Sequence, residues 1–193
     1  ISGNGVEVTL TNSKNTFSGV ASVVDGATLV LGAADVVAKA ARLSVEAGSY
    51  AKFGSFDQHV NQILAGNSEG GSLVSASGQG NTLTVVNGGS VFGQNDSFYM
   101  NWALKSGQLT ISDELSLGHG DAYLEKDATL IISGTGASGA FANNLKGEGA
   151  LSITDRANVV LTGTNTLAGD LMVADDPTDA DLYRVVPSTV RYE

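Results

Sequence analysis

The sequence predicts an all-β solenoid, a parallel β-helix, and three observations support this fold class. Short alternations of apolar and polar residues recur along the chain, as in half-buried strands. Four Leu-x-Ile or Leu-x-Val pairs repeat with a nearly constant period, starting at Leu109, Leu130, Leu151 and Leu171. The 193 residues include 25 glycines but only 16% charged residues. That composition suits stacked turns, whereas ladders of like charge would repel.

The same period extends toward the N-terminus. Leu43 and Leu83 lie two periods apart, and Ile63 lies at the midpoint. The interval from Leu83 to Leu109 is longer than one period, so we expect a short irregular insertion near residues 94–103. A period of about 20 residues is too short for a propeller blade. In a parallel β-helix each period is one coil, stacked about 4.8 Å from the next, and the chain length predicts about nine coils.

The N-terminal part fits a single period less well. Val8 and Leu29 lie one period apart, but the next step, from Leu29 to Leu43, is clearly shorter. The segment from Ala34 to Ala41 is the one plausible helix. An antiparallel β-sandwich is the alternative architecture, because it too consists of short alternating strands.

Composition excludes several classes of site and partner. The chain has no cysteine, which excludes disulfides, thiolate zinc sites and a cysteine nucleophile. A net charge of −10 opposes binding to nucleic acid or to an anionic membrane surface. The most apolar stretch, Leu29 to Ala34, is far shorter than the ~20 residues of a membrane helix. The sequence begins at Ile1 rather than Met, so we expect a piece of a longer protein.

Three segments resemble the strand repeats of passenger domains of bacterial type V autotransporters, of the AIDA and pertactin kind. That repeat reads approximately Leu-Thr-Gly-x-Asn-Thr-Tyr-Ser/Thr-Gly and is followed by a β-run. Here Leu161–Gly169 reads LTGTNTLAG and is followed by Leu171–Val173, while Leu10–Gly19 reads LTNSKNTFSG. The third segment, Leu43 to Asn67, is similar to the family's Leu-x-Val-x-x-Gly-Ala-x, Asn-Gln-x-Val and Leu-x-Gly-x-Gly succession.

The resemblance implies a right-handed parallel β-helix that is exported through the periplasm and displayed on the outer surface of a Gram-negative cell. Residues 1–193 would be a single β-helical segment of a longer passenger, with residues 174–193 as an irregular terminal segment. The implied partners are the protein's own C-terminal β-barrel, a protein or glycan on a host or neighbouring cell, and other copies of the rod. No cofactor and no nucleic acid are expected.

The leading functional hypothesis is a non-catalytic stalk or adhesin that serves cell adhesion, aggregation or virulence. One alternative is a folding-assist segment near the C-terminal end of the passenger, because solenoids propagate from coil to coil. Another alternative is a β-helix enzyme that acts on polysaccharide.

Candidate catalytic groups are few. His59 and His119 are the two histidines, and His119 with Asp121 is the best acid–base pair, although flanking glycines favour a plain corner between strands. Five acids cluster in sequence and could support glycoside or uronate chemistry: Asp113, Glu114, Asp121, Glu125 and Asp127. Because such pairs are common on surfaces, we expect neither a catalytic residue nor a metal site.

Two segments are candidates for binding. Phe98, Tyr99 and Trp102 could present aromatic rings to a sugar or protein, or the i, i+2, i+4 alternation of Phe98, Met100 and Trp102 could fill the core. The second is an acidic stretch that could hold calcium or form a solvated loop that ends the regular coil; its acids are Asp175, Asp176, Asp179 and Asp181.

Overall fold

The chain folds as stacked parallel strands joined by turns. A computed structural model describes residues 1–66, 72–78, 80–134 and 137–174, together with the backbone of residues 191–192. These residues contain no helix. The strands in chain order are β1 (Glu7–Leu10), β2 (Val20–Val23), β3 (Thr28–Leu31), β4 (Arg42–Val45), β5 (Tyr50–Phe53), β6 (Gln58–Val60), β7 (Ile63–Ala65), β8 (Leu73–Ser75), β9 (Thr82–Val85), β10 (Gly89–Val91), β11 (Asn101–Ile111), β12 (Ala122–Ser133), β13 (Ala140–Phe141), β14 (Leu145–Gly147), β15 (Ala150–Thr154), β16 (Val160–Leu161), β17 (Thr166–Leu167), β18 (Leu171–Val173) and β19 (Arg191–Tyr192).

Each coil passes three faces in the same order. Face 1 stacks β2, β4, β7, β10, the second halves of β11 and β12, β15 and β18. Face 2 carries β1, β3, β5 and β8 and, further along, β13, β16 and β19. Face 3 carries β6, β9, the first halves of β11 and β12, β14 and β17. Every described strand pair is parallel, and the chain is a right-handed parallel β-helix of about eight coils.

The repeated leucines stack as the period predicts. Leu109 pairs with Leu130, Leu130 with Leu151, and Leu151 with Leu171. Leu109 and Leu130 are fully buried, and Leu151 is 3% exposed. Burying one such side chain contributes about 1.5–3 kcal/mol, so this inward row is a main source of stability. The coil number is close to the expected nine and slightly lower, because some coils are longer than the period of these leucines.

The irregular step near the N-terminus has a simple explanation. Val8 pairs with Leu29, as expected, but Leu29 then pairs with Ala51 on face 2. Leu43 lies on face 1 and pairs with Ile63. One coil therefore contributes alternating apolar strands to more than one face, and the short interval from Leu29 to Leu43 separates two faces of the same coil.

Two spacing predictions were wrong. Leu83 does not continue the row of Leu43, because it lies on face 3 and pairs with Gln58 and Trp102. The expected insertion near residues 94–103 is not where the extra residues lie. Residues 94–100 form no strand, but Gly89 pairs with Leu109, which is a regular step of one period.

The extra length precedes β10. Ile63 pairs with Gly89, and Gln58 pairs with Leu83. Both steps are longer than the regular period, so the coil between them holds the additional residues. Residues 67–71 and 79 lie in this interval and outside the described residues.

The segment from Ala34 to Ala41 forms turns rather than a helix. Val36, Val37 and Ala40 are buried in the core, so this segment fills the face 3 position of its coil without forming a strand. In the terminal segment expected to be irregular, the backbone of Arg191–Tyr192 pairs in parallel with Val160–Leu161. Residues 175–190 and 193 lie outside the described residues.

Close backbone approach between coils explains why some corners need glycine. A Cβ atom placed on Gly120 would overlap the carbonyl oxygen of Met100 in the preceding coil. By contrast, a Cβ atom on Gly19 would meet no atom within 4 Å. Coil stacking, rather than turn shape alone, therefore selects glycine at position 120.

Candidate functional site

Two of the three aromatic candidates belong to the core. Phe98 is fully buried, and its ring centroid lies 5.4 Å from that of Phe53 and 5.4 Å from that of Trp102. Trp102 lies at the start of β11, and its Nε1 donates a hydrogen bond of 2.9 Å to the carbonyl oxygen of Leu117. Met100 is buried as well. The inward alternation of Phe98, Met100 and Trp102 is confirmed, and all three side chains are buried.

Tyr99 is the aromatic candidate that reaches solvent. It is 39% exposed, and its ring stacks on that of His119 with centroids 4.9 Å apart and an interplanar angle of 21°. The backbone N–H of Tyr99 donates to Ser75 Oγ at 2.8 Å, and His119 Nε2 lies 3.0 Å from the carbonyl oxygen of Asp96. This is a small aromatic patch that spans two coils.

His119 and Asp121 are each held by other residues. Asp121 Oδ2 accepts a hydrogen bond of 2.7 Å from Lys146 Nζ, and Asp121 Oδ1 accepts one of 2.7 Å from Asn144 Nδ2. The hydrogen bond from Lys146 is the main cause of a lowered pKa of Asp121, and Asn144 adds to it. A carboxylate stabilised in its ionised form is poorly suited to general acid catalysis near neutral pH.

The five clustered acids do not converge on one point. Asp113 accepts the backbone N–H of Leu115 in its own turn at 2.9 Å. Glu125 forms an ion pair with Lys105 in the neighbouring coil. The carboxylate of Glu114 packs against Gly139, where a Cβ atom would overlap it. Within the described ranges, no group of three or more His, Asp or Glu side chains could hold a metal ion.

The other histidine, His59, has a partner that the sequence pattern did not reveal. His59 on β6 is exposed, and its Nδ1 lies 2.8 Å from Asp35 Oδ1. The same carboxylate oxygen accepts the backbone N–H of His59 at 3.0 Å. The two residues are separated in sequence by close to one coil, so stacking these positions in register would have found the pair.

Buried amide side chains bridge successive coils, and they too were not predicted from the sequence. Asn95 is 2% exposed, and its Oδ1 accepts the backbone N–H groups of Ser72 and Leu73 at 2.8 and 2.9 Å. Its Nδ2 donates to the carbonyl oxygen of Ser116 at 2.7 Å. Asn143 donates in the same way to the carbonyl oxygens of Gly118 and Gly120. These amides fix the vertical register of the coils.

The acidic binding candidates Asp175, Asp176, Asp179 and Asp181 lie outside the described residues. Directly before them, the last described coil has a small cavity of about 130 Å³. Its lining is mainly leucine and includes Leu145, Leu151, Leu161 and Leu167. Asn165 and Asp170 also line it, so this cavity at the end of the described stack has both apolar and polar walls.

Comparison with protein-family models, with curated proteins and with solved structures finds no match for this chain. The described residues include no helix with the length and apolar character needed to cross a membrane. The fold, the surface and the residues themselves therefore carry the functional inference.

Proposed function

We propose that this chain is a non-catalytic segment of a surface-displayed autotransporter passenger and acts as a β-helical stalk or adhesin. The observation that carries the proposal is the unbroken stack of eight parallel strands on face 1. At about 4.8 Å for each strand, the stack spans roughly 34 Å. A solenoid whose coils contact only their neighbours, with a continuous apolar interior, is well suited to hold other parts of a protein at a fixed distance.

Two of the three segments that resemble passenger repeats occupy equivalent places in the coil. Leu161–Val173 runs from β16 on face 2 through β17 to β18 on face 1. Leu10–Val23 likewise runs from the end of β1 on face 2 to β2 on face 1. Both segments thus cover the same part of a coil, which supports their interpretation as structural repeats.

The contacts of the acidic side chains favour a non-catalytic role. Asp121 and Glu125 each pair with a lysine of an adjacent coil, and the two ion pairs lie on one outer face. Acids that are matched singly with lysines stabilise a ladder and do not provide the acid and base flanking one bond that glycoside cleavage needs.

Surface display can be tested by labelling with a membrane-impermeant maleimide, because the chain has no cysteine of its own. Thr166 is exposed on β17, and Leu130 is fully buried. We expect Thr166→Cys to be labelled on intact cells of the organism that produces the protein. The matched variant Leu130→Cys should be labelled only after denaturation. Labelling of Thr166→Cys only after lysis would contradict surface display.

Deleting one coil in the same cells distinguishes the stalk role from the folding-assist alternative. Removing residues 130–150 deletes one coil in register, because Leu130 pairs with Leu151. A stalk shortened by one coil should still be displayed, with cell aggregation and surface binding as the readouts of its adhesive role. Loss of display after this in-register deletion would favour the folding-assist role instead.

A further inference from the structure

Two Asn-Gly dipeptides occur in the chain, and they lie in very different surroundings. Asn4-Gly5 lies directly before β1 on face 2, and Asn87-Gly88 lies at the corner between β9 on face 3 and β10 on face 1. In such a dipeptide the backbone nitrogen of glycine can attack the side-chain amide of the preceding asparagine, because glycine has no Cβ atom to hinder the approach. Asparagine is accordingly among the thermolabile residues of proteins. The reactivity of each dipeptide then depends on how firmly the fold holds it.

Asn4 and Gly5 form the centre of an open turn. The backbone N–H of Val6 donates to the carbonyl oxygen of Gly3 at 3.0 Å and closes the turn. Gly5 has a φ of 76°, which suits the third position of such a turn, and a Cβ atom on it would meet no atom within 4 Å. Both residues are exposed, and within the described ranges neither the Asn4 side chain nor the Gly5 N–H has a hydrogen-bond partner. The two reacting groups are therefore free to approach each other.

Asn87 is held between two coils. Its Nδ2 donates to Asn61 Oδ1 of the preceding coil at 2.5 Å, and its Oδ1 accepts a hydrogen bond of 3.3 Å from Ser106 Oγ of the following coil. Gly88 is buried, and a Cβ atom on it would overlap the backbone of Gln108. The amide of Asn87 must leave both partners, and the corner must open, before the glycine nitrogen can attack. Local opening of a packed corner costs free energy, so this dipeptide should react slowly.

We propose that Asn4-Gly5 is a site of spontaneous deamidation in the folded chain, whereas Asn87-Gly88 is protected. The nitrogen of Gly5 bonds to Cγ of Asn4, the bond from Cγ to the side-chain nitrogen breaks, and ammonia leaves with the proton of the Gly5 nitrogen. Water then opens the resulting succinimide ring. Attack of water at Cγ gives aspartate, and attack at the backbone carbonyl carbon gives isoaspartate, which lengthens the main chain. The reaction consumes one water and releases one ammonia. This inference goes beyond the proposed function and does not rest on it.

Deamidation places a new carboxylate beside one that is already present. In the next coil, Asp25 and Gly26 take the same two central positions of an equivalent turn. A Cβ atom on Gly26 would lie 3.2 Å from Asn4 Oδ1, so the two turns stack closely. Like charges at equivalent positions of adjacent strands repel, and salt weakens that repulsion between exposed groups. The modification should therefore loosen the contact between these two coils.

The test compares deamidation rates at the two dipeptides in the purified, folded chain. The chain is incubated in warm, mildly alkaline buffer and digested at intervals, and peptide mass spectrometry follows each amide-to-acid change. Asn4 should react at least about tenfold faster than Asn87, because Asn87 reacts only after local opening. In concentrated guanidinium chloride, the matched control, the two rates should become similar. Equal rates in the folded chain, a faster reaction at Asn87, or a tenfold difference that persists in denaturant would each overturn the proposal.

Two variants separate protection by the fold from other causes. Asn61→Ala removes one partner of Asn87 and should speed deamidation at Asn87, while the rate at Asn4 in the same molecule stays unchanged. An unchanged rate at Asn87 would contradict the protection assigned to its hydrogen bonds.

The charge effect is measured with Asn4→Asp, which carries the charge of the product, and with Asn4→Gln as the uncharged control. In buffer of low ionic strength Asn4→Asp should melt below Asn4→Gln, and the difference should shrink when Asp25→Asn is added or when salt is raised. A difference that is the same with and without Asp25→Asn would contradict the repulsion between the two turns.

Discussion

Faces 1 and 3 share one core and differ on the outside. Inward, face 1 contributes Leu130 and face 3 contributes Leu124, and both are fully buried. Outward, the described strands of face 1 carry Arg42 as their one charged side chain, whereas face 3 and its edges carry the ion pairs Lys146–Asp121, Lys105–Glu125 and His59–Asp35. The comparison indicates that stacking dictates the inward residues, while the outward residues remain free to carry interactions.

The ion pairs show how a parallel ladder accommodates charge. Lys146 in β14 reaches Asp121 in the preceding coil, and Lys105 in β11 reaches Glu125 in the following coil. Opposite charges on adjacent coils attract, whereas like charges at equivalent positions would repel along the stack. Face 1 avoids such repulsion in another way, because its described strands carry almost no charged side chains.

The largest expected effect concerns the core that faces 1 and 3 share. We expect Leu130→Ala and Leu124→Ala to cost similar amounts, about 2–5 kcal/mol each, because both leave a cavity in a packed interior. The measurement is the free energy of unfolding in urea. Thr129→Ala, on the half-exposed outward side of β12, is the control and should cost little. A loss near zero for one of the two leucines would mean that its face does not pack into the shared core.

The buried amide bridges come next in size. Asn95→Ala removes the acceptor for two backbone N–H groups and the donor to the carbonyl oxygen of Ser116. Each buried group left without a partner costs about 1–3 kcal/mol, so the melting temperature should fall by several degrees. Asn158→Ala, at an exposed position, should be nearly neutral. Equal melting temperatures for the two variants would show that Asn95 does not lock the coil register.

Much of the fold could be predicted from the sequence because stacking repeats one environment. Leu109, Leu130, Leu151 and Leu171 occupy equivalent positions in successive coils, so their spacing directly reports the coil length. The prediction for Leu83 places it in the wrong row because a Leu-x-Val pair looks the same on every face. The period alone does not say which face a strand belongs to, and this ambiguity also misplaces the insertion.

The candidate sites were harder to predict because they depend on neighbours that lie about one coil away in sequence. The core role of Phe98 and Trp102 followed from local alternation. The partners of His59 and Asp121 did not, since Asp35 and Lys146 lie in adjacent coils. The scarcity of charged side chains on the strands of face 1 emerges only when residues are arranged by coil, because charge is sparse throughout the sequence.

The ion pair between Lys146 and Asp121 should contribute less to stability than the core residues do. Lys146→Met should reduce stability by less than about 1 kcal/mol, because both members of its ion pair are partly exposed to solvent. The pKa of Asp121 is lowered from its ordinary value of 3.8 in the folded chain. Its stabilising effect is therefore fully present above that value and is lost as the pH falls through the lower folded pKa.

The pH dependence can be measured by thermal unfolding of wild type and Asp121→Asn at several values from pH 7 to pH 2. The difference in stability between them should shrink below about pH 4, where the unfolded-state aspartate takes up its proton. Glu148→Gln is a control on an exposed residue that follows β14. A difference that stays constant over the whole pH range would contradict the role assigned to the Asp121 carboxylate.

Distances between spin-label pairs test whether the outward residues of face 1 form one parallel row with regular spacing. Ser22→Cys is combined in turn with Ser90→Cys, Thr110→Cys, Ile131→Cys and Met172→Cys, which lie three, four, five and seven pairings further along the row. A parallel stack should give backbone separations that rise steadily, about 14, 19, 24 and 34 Å. Separations that rise and fall along the series, as in an antiparallel sandwich, would contradict it.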